Sequence, residues 1–231
     1  MDIKKINFTQ KKAQDFNFLT RLYQYYTIFI LLKPFIEFPF YNIKIESQFK
    51  AEKGKNYILA PNHISYLDVF FANMAYGRKL AYIAKQELFK TDTWGQRYVT
   101  RNISRLGAFA LNREKVAIST IKSVKEVFKA KYDLCIFPQG GIRKNKTIEN
   151  INGGFIYFAK TNKVDIVPMG ITGFEEYNWK LFNKKDVSIK IGTPISYELE
   201  EEEILKQWCE QVSAMTNYEN KTLQSPEKIA N

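Results

Sequence analysis

The chain has 231 residues, of which 45% are apolar and 15% aromatic, so it falls in the folded globular class and is long enough for a buried core. Lysine and arginine outnumber aspartate and glutamate by 35 to 24, and the net charge of +11 favours an anionic partner, whether nucleic acid, acidic lipid, acidic protein or a phosphorylated small molecule. Two cysteines and one histidine exclude a disulfide framework and leave no credible zinc site.

The N-terminal part of the sequence is its most apolar region. The longest uncharged run, residues 22–32, is shorter than the roughly 20 apolar residues that a membrane-spanning helix needs. Several lysines precede it and would suit anionic headgroups. We therefore predict that residues 1–41 form a helical segment that lies on a membrane or dips into one leaflet, with an ordinary core helix as the alternative. The polar first residues predict no signal peptide and a cytosolic location.

From residue 42 onward, short β-branched or aromatic runs alternate with longer helical patterns. Strands are predicted at 42–46, 57–60, 80–84, 108–111, 134–138, 165–172 and 187–192, and helices near 66–76, 95–105, 115–131, 154–162 and 198–215. This alternation predicts an α/β domain over residues 42–216, in which a mixed, largely parallel sheet of about seven strands is covered by helices. Residues 217–231 carry no apolar pattern and are predicted to be a flexible tail.

The single histidine stands in the stretch PNHISYLD, between a predicted strand and a predicted helix. Ligands of open α/β sheets bind outside the carboxyl ends of strands, where this turn lies. Ser65 is placed to cap the helix, and Asp68 to complete an S-x-x-D capping box. If the helix begins at Ser65, His63 can fold back over its first turn, so that the Asp68 carboxylate reaches the imidazole and stabilises its protonated form. Without a G-x-S-x-G motif, the pair would activate a hydroxyl brought by a substrate.

Four ordered blocks carry a family resemblance. NHISYLD resembles the N-H-x-x-x-x-D motif of the glycerolipid acyltransferases, the family that includes 1-acylglycerol-3-phosphate acyltransferase. LGAFALNRE (106–114), CIFPQGGIRKN (135–145) and IVPMGITG (166–173) resemble the second, third and fourth blocks of that family, in the family's order. The chain is identified as a member on these blocks, and the wider similarity runs from about residue 20 to residue 195.

The resemblance implies a role for each matched residue. His63 would be the general base that deprotonates an acceptor hydroxyl, and Asp68 would orient it, with Asn62 and Ser65 in support. The hydroxyl would attack the thioester of acyl-CoA or acyl-carrier protein, which are co-substrates, so no cofactor and no metal are expected. Arg113 would bind the phosphate of the acceptor, for which a forked guanidinium is suited.

The third block departs from the family pattern. Gln139 stands where glutamate is usual, Gly141 where threonine is usual and Ile142 where arginine is usual, while Arg143 lies one place later. The backbone N–H groups of the loop could still hold an anion or a polar headgroup. We predict that Gln139, Gly140, Gly141 and Arg143 bind the substrate, and that Gln139→Glu alters the ranking of acceptors.

The leading hypothesis is a membrane-associated acyltransferase, peripheral or monotopic on the cytosolic face, that converts lysophosphatidic acid to phosphatidic acid. Another lysophospholipid, an amino-acid lipid or a glycolipid is the alternative acceptor. A non-catalytic lipid-binding relative is a further alternative, against which the intact NHISYLD motif speaks. Nucleic-acid binding rests on the charge alone and has no matching motif, so the expected partners are an anionic membrane surface, the acceptor lipid and the acyl donor.

Overall fold

A computed structural model describes residues 12–111, 118–178 and 180–222. Its strands are β1 (Tyr41–Ser47), β2 (Tyr57–Pro61), β3 (Leu80–Lys85), β4 (Ala108–Leu111), β5 (Asp133–Cys135), β6 (Thr147–Ile148), β7 (Asp165–Thr172), β8 (Lys185–Ile191) and β9 (Glu219–Asn220). Its α-helices are α1 (Phe18–Tyr25), α2 (Phe38–Phe40), α3 (Asp68–Tyr76), α4 (Trp94–Arg105), α5 (Ile118–Lys129), α6 (Gly154–Asn162) and α7 (Glu201–Thr216), and a π-helical segment (Tyr26–Glu37) joins α1 to α2.

Seven strands form one mixed sheet in the order β1-β8-β7-β2-β5-β3-β4. The pairs β1–β8, β2–β7 and β3–β4 are parallel, and β7–β8 is antiparallel. Every residue of β2 is buried, as expected for a strand whose two faces are both covered. The α/β fold with a largely parallel sheet of seven strands is thus confirmed. The pairing of β6 with β9 in a second, two-stranded sheet was not predicted.

One predicted strand is longer than the observed one. The run 134–138 was expected to be a strand, but β5 ends at Cys135. The carbonyl of Phe137 accepts from the N–H of Gly140 (2.9 Å), and the carbonyl of Pro138 accepts from the N–H of Asn152 (2.9 Å). Because these carbonyls bond to loop donors, the chain leaves the sheet early and forms the loop that faces His63.

The described chain divides into two compact units. One comprises the described residues up to Tyr25 and Lys79–Leu134, and the other comprises Tyr26–Arg78 and the described residues from Cys135 onward. Within the first unit, the buried Gln24 Nε2 donates to the carbonyls of Leu80 and Leu106, both at 2.7 Å. These bonds attach α1 to the unit that carries β3. The membrane-anchoring role predicted for residues 1–41 stays a prediction.

The N-terminal helices leave many apolar side chains exposed. In α1 these are Phe18, Leu19, Leu22 and Tyr25, and in the π-helical segment they include Ile30, Leu31 and Phe35. Ile28 in contrast is buried. Within the described ranges, no helix combines the length and the apolarity required to cross a bilayer.

The C-terminal helix packs as its pattern predicts, but the residues after it do not form the expected tail. Ile204, Trp208 and Val212 are buried, and Trp208 Nε1 donates to the carbonyl of Ala60 (2.9 Å). Beyond α7, Tyr218 is buried and β9 pairs with β6. The predicted tail at 217–231 is thus wrong at its start, since residues 217–222 contribute a buried ring and a strand; residues 223–231 lie outside the described residues.

Candidate active site

The site lies in the turn between β2 and α3. Just after β2, Asn62 is fully buried and makes two hydrogen bonds with one residue of β7: its Nδ2 donates to the carbonyl of Ile171 (2.9 Å), and its Oδ1 accepts from the N–H of Ile171 (2.7 Å). This amide holds the start of the turn against the neighbouring strand. The supporting role of Asn62 stays a prediction.

His63 and Asp68 meet in this turn. His63 Nδ1 lies 2.9 Å from Asp68 Oδ2, and the imidazole stacks on the ring of Phe137 at a centroid distance of 4.0 Å. With Nδ1–H donating to the carboxylate, Nε2 carries the lone pair that can accept a proton. The side chain of His63 is 15% exposed, whereas that of Asp68 is completely buried. The contact expected from the five-residue spacing is present.

Three donors converge on one oxygen of Asp68. Besides the imidazole, the N–H groups of Ile64 (2.6 Å) and Ser65 (2.8 Å) donate to Oδ2. Burial raises the pKa of the Asp68 carboxyl, while the bonds from His63, Ser65 and Ile64 oppose the rise because they stabilise the anion. Oδ1 has no hydrogen-bond partner among the described residues. The convergence of donors favours the ionised form of this carboxyl.

The predicted capping box forms only in part. Ser65 Oγ accepts from the N–H of Leu67 (3.1 Å), and α3 begins at Asp68 rather than at Ser65. Asp68 still accepts from the N–H of Ser65, as the acid of a capping box does. Ser65 is fully buried, so it shapes the turn instead of facing a substrate. The later helix start leaves His63 well outside the helix and free to contact the acid.

Gln139 points into the protein. It is buried; its Oε1 accepts from the backbone N–H of His63 (3.2 Å), and its Nε2 donates to the carbonyl of Thr147 (3.1 Å). The backbone N–H of Arg143 donates to the carbonyl of His63 (2.7 Å). The third block thus holds both backbone groups of His63. The prediction that Gln139 binds substrate is not met by this geometry, because both ends of its amide bond to the backbone.

The two glycines and the cations of the third block differ in what they offer a ligand. The N–H of Gly140 donates to Phe137, so it does not form part of the predicted anion cradle. Gly141 is half-buried beside it. Arg143, Lys144 and Lys146 are exposed. Of the residues predicted to bind substrate, Arg143 has an exposed side chain and a backbone in direct contact with His63.

Some predictions lie outside what the structure describes, and some residues were missed. Arg113 is outside the described residues, so its phosphate-binding role stays a prediction. No role was predicted for Phe137, which stacks on the histidine, or for Thr147, which binds Gln139. The sequence feature that could have indicated a site position for Phe137 was its place directly before Pro138 and Gln139 in the third block.

Neither cysteine is part of the site's chemistry. Cys135 and Cys209 are both buried free thiols, and burial raises the pKa of each. A buried thiol with a raised pKa is a poor nucleophile, because the thiolate is the reactive form. In the part of the chain that the structure describes, no three His, Cys, Asp or Glu side chains are grouped so as to hold a metal ion.

A family model described as "Acyltransferase" matches residues 42–172, which include the whole His63 turn. The chain belongs to the acyltransferase family. A 1-acyl-sn-glycerol-3-phosphate acyltransferase from Cocos nucifera is 30% identical over 159 residues, which are 67% of this chain and 50% of that protein. Another protein of that name, from Bacillus subtilis (strain 168), is 24% identical over 156 residues, which are 66% of this chain and 73% of that protein.

A solved acyltransferase has the same fold. The crystal structure of the 1-acyl-sn-glycerophosphate (LPA) acyltransferase PlsC from Thermotoga maritima superposes with a TM-score of 0.58 at 20% identity, covering 87% of this chain and 92% of that one. At this identity the likeness concerns the fold alone. The chain spans about half the length of the coconut relative that it matches, so a shared family does not by itself assign the relative's substrate.

Proposed function

We propose that this acyltransferase-family protein moves a fatty acyl group from a thioester to the hydroxyl of a lysophospholipid, most simply converting 1-acylglycerol-3-phosphate to phosphatidic acid. The observation that carries the proposal is the contact between His63 and the buried Asp68, which leaves Nε2 of the histidine as a proton acceptor. The names of the relatives from Cocos nucifera and Bacillus subtilis support the same acceptor.

In the proposed reaction, His63 Nε2 removes the proton of the acceptor hydroxyl while its oxygen attacks the thioester carbonyl. The C–S bond of the resulting tetrahedral adduct breaks, and the leaving thiolate takes the proton back from the imidazolium. Asp68 stabilises the imidazolium and keeps Nδ1 protonated. A positioned base contributes about 10²–10⁴-fold, and holding both substrates together supplies much of the remaining acceleration. No acyl-enzyme forms and no metal takes part.

The acceptor's phosphate is proposed to bind the exposed cations that follow the third block. Arg143 is the strongest candidate, since its backbone already contacts the carbonyl of His63 and its side chain is exposed. Lys144 adds positive charge next to it. Arg113 remains part of this proposal on the family resemblance alone. Acyl-CoA or acyl-carrier protein is the donor, and a different lysolipid, an amino-acid lipid or a glycolipid is the alternative acceptor.

We also propose that the protein binds a membrane surface peripherally through its N-terminal helices, on the cytosolic face. The exposed side chains of Phe18, Leu19 and Leu22 and the net charge of +11 support this. Deleting residues 1–40 would be a poor test, because it removes the buried Gln24 and Ile28. Leu19→Ser/Leu22→Ser is the better variant. It should reduce sedimentation with phosphatidylglycerol vesicles, and unchanged sedimentation would contradict the proposal.

The reaction is tested by incubating purified protein with labelled acyl-CoA or acyl-carrier protein and a panel of lysolipids, with products identified by mass. His63→Ala should abolish product formation, and an unchanged thermal unfolding midpoint would show that the variant is folded. Product from His63→Ala at the wild-type rate would overturn the base assignment. Lipid binding without any product from the wild type would favour the non-catalytic alternative.

A further inference from the structure

The loop of residues 180–184, between β7 and β8, presents two large apolar side chains to solvent. Leu181 is 63% exposed and Phe182 is 67% exposed. This loop is far along the chain from the N-terminal helices and belongs to none of the four family blocks. Exposed apolar side chains that are adjacent to each other and rimmed by polar groups mark interaction sites more often than isolated ones do.

The protein holds this loop in a defined shape. The N–H of Phe182 donates to the carbonyl of Pro39 (2.9 Å), and Asn178 Nδ2 donates to the carbonyls of Phe40 (2.9 Å) and Asn183 (2.6 Å). Phe182 has a φ of 61°, a left-handed conformation that is unfavourable for an aromatic residue. Hydrogen bonds thus fix a strained backbone that leaves the ring outside the core.

A third apolar group lies next to the loop. Phe38 is 63% exposed, and its ring meets that of Phe182 edge to face at a centroid distance of 6.3 Å. Lys184 Nζ lies 4.9 Å from the centroid of the Phe38 ring. The loop and α2 therefore form one surface, in which aromatic rings are in contact with a cation.

The charge of this surface identifies its partner. Lys180 and Lys184 are exposed, and residues 180–184 contain no acid. One acid, Glu37, borders α2; burial raises the pKa of its carboxyl, and the nearby Lys33 and Lys184 oppose the rise. Apolar side chains rimmed by lysines match the boundary between anionic headgroups and acyl chains, where long basic side chains reach the phosphates while the rings enter the apolar layer. An acidic protein would complement the charge of the lysines, but charge complementarity does not account for the exposed apolar side chains of Leu181 and Phe182.

We propose that Leu181 and Phe182 insert into the headgroup layer of an anionic membrane, with Lys180 and Lys184 on the lipid phosphates. This loop contact adjoins α2, extends the proposed membrane-binding surface beyond the N-terminal helices, and rests on the peripheral association proposed above.

The insertion is tested with an environment-sensitive fluorophore on Leu181→Cys. The native thiols of Cys135 and Cys209 are buried, so labelling is directed to the new cysteine. Phosphatidylglycerol vesicles should shift the emission to the blue, and lipids brominated on the upper acyl chain should quench it. The same label on Glu202→Cys, an exposed position of α7, serves as the control and should not respond.

A loss-of-binding variant complements the label. Leu181→Ser/Phe182→Asn removes both apolar groups, and asparagine tolerates the left-handed backbone at residue 182. Vesicle affinity should fall by about tenfold, whereas Ile118→Ser, at a side chain that is 72% exposed, should leave it unchanged.

Each outcome decides between the proposals. A label that stays in water while the protein sediments with vesicles overturns the loop inference and leaves the N-terminal contact standing. Protein that does not sediment at all overturns both membrane proposals. If the fluorescence of the label changes with acyl-carrier protein but not with vesicles, the partner is a protein and the lipid assignment is overturned. None of these readouts depends on acyl transfer.

Discussion

At the scale of single residues, one carboxylate oxygen organises the turn that carries the histidine. Asp68 Oδ2 accepts from the imidazole and from two successive backbone N–H groups. The same atom therefore holds the turn together and orients the imidazole that is proposed to act as the base. A substitution of Asp68 can separate its structural role from its effect on His63 only if the new side chain still accepts hydrogen bonds from the backbone N–H groups of the turn.

Asp68→Asn is such a substitution. Its amide oxygen can still accept from the backbone, but it carries no charge to stabilise a protonated His63. We expect kcat to fall by about 10²–10⁴-fold, with little change in KM for the acceptor. Steady-state kinetics together with thermal unfolding measure this. Asp186→Asn, at an exposed position of β8, is the control, and wild-type kcat in Asp68→Asn would contradict the role given to the charge.

Substitutions at Gln139 and at Arg143 are expected to have opposite effects on stability and on acceptor selectivity. Gln139→Glu keeps an acceptor for the N–H of His63 but loses the donor to Thr147, and it places a buried carboxylate oxygen against a carbonyl. We expect a loss of about 1–3 kcal/mol in the free energy of unfolding, with the ranking of acceptors unchanged. This replaces the expectation from sequence that the ranking would alter.

Arg143→Ala should change the ranking of acceptors and leave the free energy of unfolding nearly unchanged. The backbone N–H that bonds to His63 remains, so stability should be nearly that of the wild type, while phosphate-bearing acceptors lose their advantage over uncharged ones. Urea unfolding and competition between paired acceptors measure both effects. A changed ranking in Gln139→Glu with an unchanged ranking in Arg143→Ala would contradict the assignment.

At the scale of elements, the turn after β7 depends on one glycine. Gly173 has a φ of +98°, and a Cβ there would lie 2.3 Å from the carbonyl oxygen of Asp186 and 2.9 Å from the Cα of Val187. Both neighbours are backbone atoms at the start of β8, which cannot rotate away. Gly173 directly follows Thr172, which pairs with Ser188 in β8, so the backbone of β8 passes close to the glycine.

Gly173→Ala should therefore destabilise the protein by more than about 3 kcal/mol, because strand β8 must shift to make room. Gly54→Ala is the matched control. Its φ is +84°, but no described atom lies within 4 Å of the added methyl group, so its expected cost is about 1–2 kcal/mol from the backbone alone. Urea unfolding of both variants separates the cost of the backbone conformation from the cost of the steric contact. Equal losses in the free energy of unfolding would show that the contact with Asp186 is unimportant.

At the scale of the whole molecule, burial of ionisable groups makes stability depend on pH. Burial raises the pKa of Cys209 to about 11, whereas a thiol in the unfolded chain titrates near 8.5. The folded protein keeps a proton that the unfolded chain releases. The stabilisation from this thiol is therefore complete below about pH 8.5 and is lost as the pH rises toward about 11.

Cys209→Ala removes that dependence. We expect the free energy of unfolding of the variant to fall less steeply between pH 8.5 and 11 than that of the wild type, by at most about 1.4 kcal/mol per pH unit. Part of the slope should remain, since burial also raises the pKa of Cys135. Urea unfolding at a series of pH values measures the slope, and identical slopes would show that Cys209 does not contribute.

The sequence by itself determined the fold class and the pairing of His63 with Asp68. Both depend on local information, because hydrophobic periodicity reports which face of a strand or helix is buried, and a short turn brings residues five apart into contact. The same holds for the inner face of α7. The start of α3 was placed too early, because the backbone N–H groups of Ile64 and Ser65 donate to the Asp68 carboxylate before the helix begins.

The tertiary structure decided everything that depends on residues distant in sequence. Gln139 lies 76 positions from the His63 backbone that it binds. The attachment of α1 through Gln24, the pairing of β9 with β6 and the exposure of Phe182 beside Phe38 are also long-range. No local pattern encodes which distant donor meets which acceptor. The polar character of Gln139 was visible in the sequence, but the direction of its side chain, toward the backbone of His63 and Thr147, was set by packing.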